Sequence, residues 1–443
     1  MNEPIAKPAL PPSLQEIASC VNGYDPKSLP VAQAQEFIAR LVPKVQAVEM
    51  LALRSALGRV LARDIVSPFN VPAHDNSAMD GYAFRGFDLA PDADTVLKVA
   101  GSAFAGQADL ADPASAARGQ CVRIMTGAVM PDGLDTVVPQ EFCRVDGDKV
   151  TIPAGIVRTG DNRRLKGEDL ARGDAALIKG RGLRPADLGM LASLGQAEVP
   201  VFRRLRVAFF STGDELRSIG EDLPAGCVYD SNRYTLWGML ARLGVEIIDL
   251  GVVKDDPAGL EATFRAAARD ADAVITSGGV SVGEADHTKQ VMAALGDVLF
   301  WRIAMRPGRP MAIGRISTDA SADGHSAILF GLPGNPVAVM VTFYALVRDA
   351  LLAMSGAAAQ PMPLLRAASA LPMRKKPGRT EYQRGIVTRS ADGAGFEVRI
   401  TGAQGSGILR SMSEANGLVV LHHAQGDVAA GELVDVLPFD GLA

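Results

Sequence analysis

Residues 206–215 read Arg-Val-Ala-Phe-Phe-Ser-Thr-Gly-Asp-Glu. Val207 to Phe210 is an unbroken apolar run, the mark of a strand buried on both faces rather than one. It ends abruptly in two hydroxyls, a glycine and two acids, as a strand-end loop does. The same punctuation recurs downstream. Asp230 or Ser231 caps a helix that carries Leu236, Leu240 and Leu243 on one face and stops at Gly244. Val245 to Val253 reads as the next strand, and Asp256-Pro257 starts another helix. Ala273 to Thr276 is a third strand running into Ser277-Gly278-Gly279. Ile328 to Phe330 leads through Gly331 to Pro336 into a helix over Val337 to Leu352. This βαβ rhythm predicts a mostly parallel sheet covered by helices on both faces.

Outward from that centre the pattern changes. Residues 1–24, rich in proline, alanine and serine, read as a loosely held tail with one helical turn near Leu14 to Val21. Val31 to Leu41 and Val48 to Leu61 carry apolar residues at helical spacing. Between 69 and 170, short alternating runs such as Val96 to Val99 and Lys149 to Ile152 sit among Gly, Asp and Pro, which predicts a small β-rich domain. Leu188 to Leu194 reads as a short helix. Beyond Pro361, strands are expected over Tyr382–Thr388, Phe396–Ile400, Gly417–Leu421 and Gly431–Val436. The expected fold is a multidomain α/β protein. It has a central three-layer α/β domain with a mostly parallel sheet, two small β-rich or barrel domains and a helical N-terminal linker domain. The expected divisions are a 1–24 tail, a helical domain from 25–68 with 171–204, a β-rich domain over 69–170, the α/β domain over 205–360 and a barrel-like domain over 361–443.

Composition narrows the function. The 443 residues are 48% hydrophobic and 21% charged, with a net charge of −5. That describes a folded globular chain without the basic surface that nucleic acid requires. The four cysteines, Cys20, Cys121, Cys143 and Cys227, form no C-x-x-C pair, so neither a disulfide framework nor a zinc-thiolate site is expected. No basic n-region followed by an apolar core opens the chain, and the apolar stretch from Val337 to Met354 is interrupted by Arg348 and Asp349. The expectation is a cytoplasmic protein without a membrane span.

Three loops leave strand ends: 211–215, 277–286 and 331–336. In open α/β sheets, ligands bind at such positions, and glycines let backbone N–H groups approach an anion. One Gly-rich turn is common to every such fold. Three, each with hydroxyls, an amide or acids, point to a phosphate-bearing ligand held through Ser211, Thr212, Gly213, Ser277, Gly278, Gly279 and Ser281. Acids beside phosphate are repulsive unless a cation intervenes, and hard oxygen donors suit Mg²⁺. Asp256 before Pro257 reads as a helix cap, and Glu284 as a solvated loop acid; Glu215 and Asp286 are the metal candidates. Arg302, Arg306 and Arg309 stand in a proline-stiffened segment, where fixed guanidinium groups suit a tetrahedral oxyanion. His74 and His287 adjoin acids and either tune the site or are simply exposed. No nucleophile arrangement is apparent.

The run Asp75-Asn76-Ser77-Ala78-Met79-Asp80-Gly81-Tyr82 resembles the signature of the molybdopterin molybdenumtransferases, the MoeA/gephyrin family. The resemblance continues in order through Met125-Thr126-Gly127-Ala128, Gly167-Glu168-Asp169, Ser211 to Glu215, Ser277 to Asp286 and Gly331 to Pro336. It implies an enzyme that takes adenylylated molybdopterin and molybdate, releases AMP with Mg²⁺ and places molybdenum on the dithiolene. It also implies an elongated homodimer whose cleft lies between the α/β domain and the partner's β-rich domain. By motif, Asp75, Thr126, Asp169, Glu215, Asp255 and Asp286 would be the functional acids and hydroxyl. Arg302, Arg306 and Arg309 would bind anions. Pro333, Gly334, Asn335 and Pro336 would shape the substrate loop, and Ser406 would join the same cleft. A molybdopterin adenylyltransferase and molybdoenzyme acceptors or chaperones are the implied partners. One departure stands out: Arg306-Pro307-Gly308-Arg309-Pro310 replaces the family's common Lys-Pro-Gly-Lys-Pro. Arginine preserves a fixed charge but cannot serve as an acid or base. The alternatives are an adenylyltransferase, which the α/β domain alone resembles, and a non-catalytic gephyrin-like scaffold.

Overall fold

A computed structural model describes residues 13–106, 117–280, 287–317, 326–358 and 362–439. At its centre is a six-stranded sheet of β1 (Arg206–Thr212), β2 (Glu246–Val253), β3 (Ala273–Ser277), β4 (Gly296–Arg302), β5 (Pro310–Ser317) and β6 (Ser326–Leu332). The spatial order is β2-β1-β3-β6-β5-β4, parallel from β2 to β6 and antiparallel from β6 to β4. The two-sided burial expected of β1 is present. Val207 and Phe209 face one core with Leu236, Leu240 and Val337, while Ala208 and Phe210 face another with Leu260 and Phe264. Phe210 meets Phe264 edge-on at 5.0 Å. Truncating such a fully buried ring to alanine costs about 3–5 kcal/mol.

The expected caps are in place. Asp230 accepts from Arg233 N at 3.1 Å, and Gly244 ends that helix at φ 70°. Asp256 accepts from Gly259 N at 2.7 Å ahead of the Pro257–Asp270 helix. The helix after β6 is longer than expected and not uniform. It runs as α-helix over Pro336–Thr342, π-helix over Phe343–Val347 and α-helix over Arg348–Met354. Gln35 Nε2 donates to Ala345 O within the π-helical turn at 2.9 Å. Among the described residues this is the helix long and apolar enough to cross a membrane, with mean hydropathy 1.8, yet 78% of it is buried inside the fold.

Two expectations near the N-terminus are corrected. Val48–Leu61 is not a helix. Val48–Ala52 is a strand paired antiparallel with Glu198–Phe202, and Leu53–Ala56 is a 3₁₀ turn. The distant partner strand overrides the local helical spacing. The segment before residue 24 is also not loose from Ser13 onward. A capping box starts the Leu14–Ser19 helix, and Leu14, Ile17 and Val21 are buried in the main core; residues 1–12 lie outside the described residues. The helical part of the linker is Val31–Leu41 and Pro185–Ser193. Phe37 on the first of these meets Trp301 edge-on at 5.0 Å, docking it on the α/β sheet.

Strands between Gly81 and Ile152 form a second six-stranded sheet, ordered Thr136–Pro139, Gly81–Phe84, Gln120–Ile124, Thr95–Ala103, Lys149–Ile152 and Arg144–Asp146. The C-terminal strands close on themselves. Thr380–Arg389 pairs with both Phe396–Ile400 and Gly417–Leu421, and Leu365–Ser369 and Leu433–Pro438 complete the barrel. Met305–Arg306, just past β4, adds to this barrel in parallel beside Thr380 and Glu381. The basic segment is thereby fastened to two folding units at once.

Candidate active site

The strand-end loops of β1, β3 and β6 converge on a cleft of ≈ 930 Å³. Thr212, Gly213, Glu215, Asp255, Ser277, Gly278 and Gly279 line one part of it. Pro333, Gly334 and Asn335 line another, Arg306 and Arg309 a third, and Ser406 a fourth. The loops are pressed together where they meet. Gly278 has φ +100°, and a Cβ there would fall 2.5 Å from the Thr212 carbonyl oxygen. Only glycine fits that approach.

Local bonds give the cleft its shape. Thr212 Oγ1 donates to Asp255 Oδ1 across the β1 and β2 ends, and Asp255 N donates to Asp214 Oδ1 at 3.3 Å. Asn335 precedes the Pro336 helix without using its side chain as a cap, and among the described residues its amide makes no hydrogen bond. Ser406 is held through its backbone: its carbonyl accepts from Val337 N at 3.0 Å, the first turn of the same helix. Gly308, at φ +94°, lies so close to that helix that a Cβ would fall 2.2 Å from Thr342 Oγ1. Arg306 and Arg309 are thus set on either side of a turn pinned to helix and barrel. Neither has a carboxylate partner among the described residues.

Not every expected residue reaches the cleft. Arg302 ends β4 away from it; its N–H donates to Pro26 O at 2.8 Å and its carbonyl accepts from Leu29 N at 3.1 Å. The antiparallel β4 edge carries it to the N-terminal arm. Ser211 is fully buried beneath the floor with Oγ unpaired, and Pro336 is the first helical residue behind Asn335. Ser281 and Asp286 lie outside the described residues.

Asp75, Thr126 and Asp169 do not line this cleft. They belong to a separate cluster beside the second sheet. Asp75 Oδ2 accepts from Arg163 and Oδ1 from Lys166 N at 2.7 Å. The Lys166 N–H, with Arg163 next, holds the Asp75 carboxyl below the usual carboxylate range. Asp80 Oδ1 accepts from both Thr126 Oγ1 and Thr126 N at 2.7 Å, which likewise lowers its pKa. Asp169 is exposed, with its N–H on Val71 O at 3.1 Å.

The structure adds cleft residues that sequence reasoning passed over. Arg379, Gln404 and Gly405 come from the barrel, and Asn232 from a helix start; His287, read from the sequence as tuning the site or simply exposed, also lines the cleft. Arg379 sits in Lys375-Lys376-Pro377-Gly378-Arg379, a basic turn that was a readable signal. Beneath them Arg384 is 1% exposed and pairs with no carboxylate among the described residues; it donates to Ser411 Oγ at 3.0 Å and Gly405 O at 2.9 Å. Burial, helped by the nearby Arg306 charge, pushes its pKa down to about 10.

Glu215, Asp255 and the Thr212 hydroxyl give a hard-oxygen donor set of the kind Mg²⁺ accepts when phosphate and water complete its shell. Among the described residues no three His, Cys, Asp or Glu side chains gather into a self-sufficient metal cage.

Residues 29–195 match the MoeA N-terminal region (domain I and II), residues 208–353 the probable molybdopterin binding domain, and residues 366–439 the MoeA C-terminal region (domain IV). The chain is 42% identical over 416 residues to a molybdopterin molybdenumtransferase of Haemophilus influenzae, covering 94% of this chain and 99% of that one. It is 35% identical to a protein of the same name from Nostoc sp., covering 93% and 89%. Among solved structures, the molybdopterin biosynthesis moeA protein of Pyrococcus horikoshii superposes with a TM-score of 0.78 at 28% identity, covering 93% of this chain and 100% of that one.

Proposed function

The chain belongs to the molybdopterin molybdenumtransferase family, and on that premise we propose that it cleaves AMP from adenylylated molybdopterin and inserts molybdate in a Mg²⁺-dependent reaction. Molybdenum-cofactor biosynthesis is the family's process; the adenylylated substrate, the metal and the order of events are our reading. The observation that carries it is the meeting of three strand-end loops, two uncommitted arginines and a barrel loop in one cleft.

Each part has a task set by its chemistry. Backbone N–H groups around Gly213, Gly278 and Gly334 seat phosphate oxygens. Arg306 and Arg309 supply fixed charge to molybdate and to the phosphate being released. Neither arginine can donate a proton at neutral pH, so proton movement falls to water or to the substrates. Glu215 and Asp286 would hold Mg²⁺, with Asp255 kept in place by Thr212. The metal, when bound, neutralises charge that builds on the phosphoanhydride oxygens. Arg384 keeps the Gly405–Ser406 loop folded over the cleft through the Gly405 carbonyl.

We also propose a homodimer in which Asp75, Thr126 and Asp169 of one subunit face the cleft of the other. Two observations support it. Those residues stand apart from the cleft of their own chain, and Tyr229, just before the Ser231–Leu243 helix, and Tyr234 and Trp237 within it are 47%, 49% and 52% exposed. Such aromatic exposure marks association surfaces.

The test is AMP release from adenylylated molybdopterin with and without molybdate and Mg²⁺. Release that needs both is expected. Tight binding without release, or formation of the AMP conjugate from molybdopterin and ATP, would overturn the reading.

A further inference from the structure

Asn232 is the second residue of the Ser231–Leu243 helix and is 7% exposed. A buried amide there is unfavourable both by helix propensity and by desolvation. Its Nδ2 donates to two acceptors, Ser277 Oγ at 2.8 Å and the Gly334 carbonyl at 2.7 Å. A carbonyl can only accept, so the orientation of the amide is set. Oδ1 is left buried without a partner. The residue is therefore arranged for its two donated bonds and not for its own satisfaction.

Those bonds join two loops that the sheet does not hold at their tips. Ser277 pairs with Leu332 at the end of the β3–β6 ladder, and Gly278 N donates to Leu332 O at 3.1 Å. Past that point the Gly334 turn leaves the ladder, and a Cβ on Gly334 would lie 3.8 Å from Gly278 Cα. The helix bearing Asn232 is itself anchored, since Asp230 N donates to Arg217 O at 3.0 Å.

We propose that Asn232 is a positioning residue that sets the separation of the Ser277–Gly279 and Pro333–Asn335 loops, and with it the fit of the substrate's phosphate groups. The phosphate part rests on the function proposed above; the loop separation does not. Hydrogen exchange reads the second directly. In Asn232→Ala, the amides of 278–280 and of Gly334, Asn335 and Val337 are expected to exchange faster together by about tenfold, with Ala273–Thr276 unchanged. The KM for adenylylated molybdopterin should rise about tenfold while kcat changes by less than about threefold. Ser277→Ala should produce a smaller change, and the double variant should be no worse than Asn232→Ala, because both remove one shared contact. Asn232→Leu keeps the bulk and loses both donors without adding charge, so it carries the same expectation should the alanine variant fail to fold. Unchanged exchange in either loop, or effects that multiply in the double variant, would overturn the proposal. A wild-type protein that releases no AMP would overturn the proposed function instead and leave the exchange result standing.

Discussion

Arg306 and Arg309 stand in the cleft without a carboxylate partner among the described residues, whereas the Asp75 and Asp80 carboxylates are engaged by neighbouring segments, Asp75 by Arg163 and Lys166 N and Asp80 by Thr126. The two regions solve different problems. The cleft leaves these two guanidinium groups free of carboxylates, held by backbone devices: a Gly308 turn against Thr342 and a strand pairing with Thr380. The Asp75 region spends its charges on local order, so its carboxylates are rigid anions before any ligand arrives. A receptor for oxyanions needs the first arrangement; a shaped wall needs only the second.

The sharpest way to break this contrast is to remove the free charges. Arg306→Ala with Arg309→Ala should lower kcat/KM for AMP release by about a thousandfold, with little loss of thermal stability, because neither side chain holds the fold together. Arg306→Lys with Arg309→Lys should recover most of that rate. Failure of the lysine pair would mean that the forked guanidinium geometry matters here, beyond its charge. Glu215→Ala should lower Mg²⁺-dependent AMP release by roughly 100-fold and raise the Mg²⁺ concentration needed for half-maximal rate. An unchanged metal dependence would remove Glu215 from the proposed metal set.

The engaged region should lose stability as well as rate. Asp75→Asn removes the charge that Arg163 and Lys166 N hold, and should cost about 1 kcal/mol by denaturant unfolding, discounted for partial exposure. The folded-state pKa of Asp75 is lowered, so its contribution is complete above the ordinary carboxylate value of about 3.9 and is lost as pH falls through the lowered folded value. The gap between wild type and Asp75→Asn should therefore be constant near neutrality and close in strong acid. Mixing inactive Asp75→Ala and Asp286→Ala subunits should restore part of the activity; none after confirmed subunit exchange would count against the shared cleft. The smallest effect is chemical. Burial pushes the Cys121 thiol up to about 12 and Cys143 up to about 11, so native alkylation at neutral pH should be confined to Cys20 and Cys227.

Much of this was legible in the sequence because the signals were local. Asp230, Gly244 and Asp256-Pro257 mark helix ends through bonds spanning three or four residues, and the alternation hidden in Val207 to Phe210 needs no partner to be read. Val48 to Leu61 misled because its structure is decided by Glu198–Phe202, about 150 residues away. Arg302 was grouped with Arg306 and Arg309 by spacing, but the strand end turns it toward the N-terminal arm. Arg379 and Gln404 reach the cleft only through domain docking, and Asn232 through contacts with Ser277 and Gly334, 45 and 102 residues away, neither of which leaves a periodic trace in a linear chain. Asp286 and Ser281 fall outside the described residues.

The helix from Pro336 to Met354 acts as a shaft. Its first turn takes the Ser406 carbonyl, its middle receives Gln35, and its last residue, Met354, accepts from Val45 N at 2.8 Å. Tyr344 on the same helix stacks on Phe439 at 6.0 Å. Close-packed helices transmit displacement rather than absorb it. The arm, the barrel and the loop that carries Asn335 are all fastened to one such helix, which gives them a single positional reference.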